Sequence, residues 1–257
     1  LANPVIERSF SDQAAADASL SASQQQVMGD AGPVRADTMS VGGVVSKTLF
    51  LLLLVVGAAS WGWANTDPAD GIPGWYWWVV FGAIFVAIFT AIRPQLALVL
   101  GPIYALLQGA LIGVISRVYE AAWDGIVINA LLATVATVFG MLLLYASGAI
   151  KATPRVRKTI IVATMGIAIF YLFSFILSIF GVVFPFIWDG SPLGIFLSLA
   201  IIVVAALNLV LDFDFIDRGV QAGMPKMFEW LAAFGLMVTI IWHYIEFLRL
   251  FARLNQN

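Results

Sequence analysis

Ionisable residues stand inside or at the ends of long apolar runs late in the chain, in Asn208-Leu-Val-Leu-Asp-Phe-Asp-Phe-Ile-Asp217 and in Trp242-His-Tyr-Ile-Glu-Phe-Leu-Arg249. A carboxylate withdrawn from water is costly unless it is paired, hydrated or protonated, which makes these groups the first candidates for function. Asn208 and Asp212 are four apart and share a helix face. Asp214 points away from Asp212, and Asp217 lies three beyond Asp214. At most one or two of the three aspartates can therefore face a bundle interior. The others, with Arg218, Gln221 and Lys226, are expected in water in a loop. Trp242, Glu246, Arg249 and Arg253 follow a single helical stripe. Glu246 with Arg249 one turn on reads either as an ion pair that fixes packing or as a carboxyl that also faces Asp212 across a helix interface. In the second case two carboxyls hold one proton between them and repel when it leaves. His243 could bias that titration or simply fill the packing.

Other chemistries are poorly supplied. The chain has no Cys and one His, which excludes disulfides, thiolate metal sites, a His-based zinc cluster and a Ser-His triad. No resident metal or cofactor and no enzyme activity are expected. An acidic pair could in principle serve an intramembrane hydrolase, but no second motif supports that reading. A net charge of -2 with scattered basic residues argues against a nucleic-acid partner.

The elements that must position these side chains are membrane helices. Of 257 residues, 61% are hydrophobic and 11% charged, too few charges to cover a water-soluble globule of this size. Seven apolar runs, near 46–64, 75–92, 96–118, 125–147, 158–184, 193–211 and 231–251, are each long enough to cross a hydrocarbon layer about 30 Å thick. Backbone polar groups in lipid must satisfy one another, and no barrel-like alternation is present, so the fold class is all-α and polytopic. Residues 1–43, rich in Ser, Ala, Gln and Asp, are expected to form a disordered cytoplasmic tail, and 44–257 the transmembrane domain. With the N-terminus inside, ten of the thirteen basic residues are cytoplasmic, including Arg93 and the loop Lys151-Ala-Thr-Pro-Arg-Val-Arg-Lys158. That loop sets topology and could also attract anionic lipid. In the third run Gly101, Ala105, Gly109 and Gly113 recur every four residues, a stripe that lets another helix approach closely.

The segments Arg93-Pro-Gln-Leu-Ala-Leu-Val-Leu-Gly-Pro-Ile-Tyr-Ala-Leu-Leu-Gln-Gly-Ala-Leu-Ile-Gly113, Leu211-Asp-Phe-Asp-Phe-Ile-Asp217 and Tyr244-Ile-Glu-Phe-Leu-Arg-Leu250 resemble the bacterial branch of the transmembrane Bax inhibitor motif family. The opening Asn3-Pro-Val-Ile-Glu-Arg-Ser-Phe10 is similar to the start of actinobacterial members. The resemblance covers essentially the whole chain. It implies seven helices, six wrapped around a central seventh, and a pH-sensitive calcium leak in a bacterial plasma membrane. It further implies a pair of aspartates on the sixth and seventh helices as pH sensor, with an arginine on the second helix able to engage it. Carried onto this sequence, the sixth-helix position falls on Asp212, with Asp214 the competing register, and the seventh on Glu246, a longer carboxylate. Arg93 is the only arginine near the second helix.

The expectation is a passive cation leak gated by Asp212 and Glu246, with Arg249 or Arg93 as counter-charge, Asn208 as a supporting hydrogen-bond partner, and calcium held only transiently. The competing class is a non-conducting accessory subunit of a larger membrane complex or membrane protease, for which the small-residue stripe and polar tail would serve.

Overall fold

The computed structural model describes residues 38–182, 184 and 189–256, and the chain from Met39 onward forms one compact unit. Most of the expected tail, with Asn3–Phe10, lies outside the described residues, as do Pro185 to Trp188. Seven α-helices follow one another: α1 (Val41–Ala64), α2 (Tyr76–Ile92), α3 (Ala97–Ala122), α4 (Ile126–Ala146), α5 (Pro154–Ile179), α6 (Pro192–Gln221) and α7 (Phe228–Leu254). A 3-10 turn, Pro94–Leu96, joins α2 to α3. All but α2 are long and apolar enough to cross a membrane, while α2, at 17 residues, covers about 25 Å.

Local chemistry sets the ends. Ser40 caps α1, its Oγ accepting the Gly43 N–H at 3.0 Å. Thr153 caps α5 in the same way, and Pro154 takes the first helical position, where its missing N–H costs nothing. Arg155, Arg157 and Lys158 therefore belong to the first turns of α5 rather than to a loop. The largest revision concerns α6. The apolar run expected to end at residue 211 continues as helix to Gln221, so Asp214 and Asp217 are helical and not loop residues. Asp214 sustains that extension by pairing with Arg218 one turn on.

Helix α7 is the centre of the bundle, packed against α1, α3, α4 and α6. Small residues such as Ala232, Ala233 and Ala252 are buried along it and allow close approach on several sides. Helices α2 and α5 stand outside that ring, α2 against α3 and the Pro94–Leu96 turn, α5 against α6. Beyond the basic first turns of α5 their sequences are apolar all round, and only Ala83 and Thr90 of α2 and Ile160 of α5 are buried. The closest helix pair is α1 with α3. A Cβ on Gly109 would strike the Val55 carbonyl oxygen, and one on Gly113 the Ala59 carbonyl oxygen. Gly62 of α1 returns the relationship, facing the Ala110 carbonyl. Ala105 is fully buried, and Gly101 faces the Leu51 side chain at 3.7 Å. The stripe of α3 is thus covered by α1 within the chain.

Candidate functional site

Polar groups are buried along the whole of α7. Glu229, Thr239, His243, Glu246 and Arg253 are each less than 9% exposed, and they extend over about 36 Å of one central helix. Buried polar groups persist only where partners repay their desolvation, so each position is defined by what it touches.

Asp212 reaches α7 at mid-depth. Its carboxylate contacts the Thr239 hydroxyl, and Oδ1 lies 3.6 Å from where a Cβ on Gly235 would stand. Oδ2 is shielded from solvent and has no hydrogen-bond partner among the described residues. One turn further along α7, His243 is fully buried, its Nδ1 at 2.8 Å from the Thr239 carbonyl oxygen and its Nε2 without a partner among the described residues.

Glu246 lies two turns beyond Thr239 and 1% exposed. Its Oε1 accepts three hydrogen bonds, from Tyr171 Oη at 3.0 Å, Arg249 Nη1 at 3.0 Å and Trp242 Nε1 at 3.3 Å. Arg249 also donates to Tyr171 Oη, with its guanidinium 5.0 Å from the ring centre. A carboxylate, a guanidinium and a phenol thereby form a cluster around Oε1, while Glu246 Oε2 is buried without a hydrogen-bond partner among the described residues. Further along, Arg253 donates to the Gly194 carbonyl at 2.6 Å and to Ser198 of α6.

Asp212 and Glu246 do not touch in this conformation. Asp212 stands nine residues before the end of α6, and Gly235 and Thr239 stand seven and eleven into the antiparallel α7, so these positions meet. Glu246, eighteen residues into α7, is about 10 Å farther along the axis than Thr239. The seven-residue spacing still places Glu246 on the same side of α7 as Thr239.

The other expected partners go elsewhere. Asn208 donates to Thr164 Oγ1 at 2.8 Å and to the Val204 carbonyl at 2.9 Å, so its amide ties α6 to α5 and does not support Asp212. Asp214 takes both Arg157 and Arg218 at the end of α6. Asp217 is 3.5 Å from the Tyr145 hydroxyl. Arg93 is exposed at the end of α2 and meets neither carboxylate of the proposed pair.

Glu229 is the buried acid that sequence reasoning passed over. Its Oε1 accepts the Ser40 N–H at 2.8 Å and the Ser40 hydroxyl at 3.0 Å, and Oε2 pairs with Lys47, whose ammonium is 5.5 Å from the Trp230 ring centre. Gly43 leaves the space the carboxylate fills. The available signal was an acid in the first turn of the last helix, where it complements the helix dipole.

These features define a polytopic helical membrane protein whose central helix carries two buried carboxylates, Glu229 and Glu246, far apart along its axis. The family model described as Bax inhibitor 1 like matches residues 3–256, and the chain belongs to that family. No curated protein and no solved structure matches it. Among the described residues no group of three or more His, Asp or Glu side chains could hold a metal ion.

Proposed function

We propose that this protein is a passive, pH-sensitive cation leak, with calcium the first candidate ion. The observation that carries the reading is the succession of Asp212, His243 and Glu246 on one side of the central helix interface, because ionisable groups at membrane depth are kept for pathways and proton relays. Calcium is cargo here. It prefers six to eight oxygen ligands, and two carboxylates at separate depths offer a weak, multi-step path in place of a storage site.

Each carboxylate has its own role in this reading. Glu246 is neutralised by Arg249 and held by Tyr171, which makes that cluster the closed barrier. Asp212, which pairs with no cation among the described residues, is the proton-responsive group; adding or removing its proton changes the charge an entering ion meets. The protein acts without a resident cofactor and without catalysis, in a bacterial plasma membrane with its N-terminus cytoplasmic. The alternative, an accessory subunit, loses one of its supports because α1 covers the small-residue stripe.

The deciding experiment is calcium flux into liposomes that hold only this protein, at several pH values, with Asp212→Asn and Glu246→Gln beside wild type. Flux that responds to pH in wild type and loses that response in Asp212→Asn supports the leak. No flux at any pH, or flux indifferent to both substitutions, refutes it.

A further inference from the structure

The N-terminal turns of α5 and the last turns of α6 enclose an open pocket of about 360 Å³. Arg157, Lys158 and Arg218 line its polar side, and Ile161 and Val162 its apolar side. Arg157 and Arg218 both pair with one carboxylate, Asp214, which does not itself line the pocket, and Lys158 adds a further positive charge to the lining. A guanidinium that gives part of its donor fork to Asp214 retains further N–H groups for a second anion.

The pocket opens onto an apolar track. Ile161, Met165, Ile169 and Leu172 recur at three- and four-residue intervals down α5, and all are exposed. From Ile161 to Leu172 the helix rises about 16 Å, which matches one leaflet of a hydrocarbon core about 30 Å thick. A soluble anion would make no use of such a track. We propose that this pocket is a binding site for an anionic glycerophospholipid, its phosphate between Arg157, Lys158 and Arg218 and one acyl chain along the exposed face of α5. Basic pockets between helices at a membrane surface recognise lipid head groups in this way. The site stands whether or not the protein conducts ions.

Native mass spectrometry of the full-length protein, extracted from vesicles of equal phosphatidylcholine and phosphatidylglycerol, reads this directly. Wild type should retain phosphatidylglycerol over phosphatidylcholine, and Arg157→Gln with Lys158→Gln should lower that retention about tenfold, while Arg218 still holds Asp214. A control pair, Arg93→Gln with Arg155→Gln, removes the same charge outside the pocket and should leave retention unchanged. Equal loss in both pairs would mean a diffuse surface attraction and overturn the site. So would equal retention of both lipids, or displacement of the lipid by millimolar inorganic phosphate, which would mark a site for a soluble anion.

Discussion

Tyr171 of α5 donates its hydroxyl hydrogen bond to Glu246 of α7 at 3.0 Å, although the two helices make no close backbone contact. The phenol bridges the gap left by an outer helix, and the same oxygen accepts from Arg249. One hydroxyl therefore fixes the geometry of a buried ion pair.

Tyr171→Phe removes that hydroxyl and keeps the ring beneath Arg249. Glu246 loses a donor and Arg249 an acceptor, both in a site sheltered from water, so unfolding in detergent should become easier by about 1–3 kcal/mol. In the leak reading the Glu246 barrier loosens as well, and vesicle calcium flux should rise. An unchanged melting temperature would show that the phenol is dispensable to the cluster.

The α1–α3 contact gives a contrast between two glycines. Gly113→Ala drives a methyl group into the Ala59 carbonyl and should destabilise by about 1–3 kcal/mol, as overpacking does. Gly57→Ala on α1 meets nothing within 4 Å and should be neutral or stabilising by up to about 1 kcal/mol, because alanine favours the helix. Thermal unfolding of the two variants in the same detergent checks the sign of each.

Glu229 and Lys47 test a buried pair at the opposite end of α7. Lys47→Met leaves a fully buried carboxylate with only Ser40 to satisfy it and should cost about 3–5 kcal/mol. Adding Glu229→Gln removes the stranded charge and should recover much of the loss. If the double variant is no more stable than Lys47→Met alone, the pair does not carry the energy assigned to it.

Much of this fold is legible in the sequence because the bilayer imposes a length. An apolar run that must cross about 30 Å announces itself, and seven such runs recover the seven helices. The stripe of Gly101, Ala105, Gly109 and Gly113 is equally legible as a four-residue period, although its partner is not, since nothing in the spacing names α1. Helix ends defined by charge are harder. The aspartates of α6 look like loop residues until Arg157, far away in sequence, is seen to neutralise Asp214. Glu229 is the extreme case, since its partners Ser40 and Lys47 lie 189 and 182 residues away. Periodicity tells which side of a helix a residue occupies, and it left Glu246 with two readings, an ion pair with Arg249 or a carboxyl facing Asp212. It does not give the axial level, which follows from counting outward from the turn between α6 and α7. That count pairs Asp212 with the level of Gly235 and Thr239.

The axial separation has a consequence for coupling. Two carboxyls that divide one proton are strongly interdependent, so neutralising either one relieves the other, and a double variant differs from the sum of the singles by several kcal/mol or a large shift in pH profile. Carboxyls about 10 Å apart along the helix, one on Thr239 and the other locked by Arg249 and Tyr171, share no partner. Asp212→Asn and Glu246→Gln should then act independently, with stability changes that add to within about 0.5 kcal/mol. Their functional effects should also differ in kind, Asp212→Asn flattening the pH response of flux and Glu246→Gln raising flux at every pH by freeing Arg249. A double-mutant cycle on unfolding and on flux measures both. A coupling energy well above 0.5 kcal/mol would mean that the two side chains come together in a conformation other than this one, and that the gate is formed by their meeting after all.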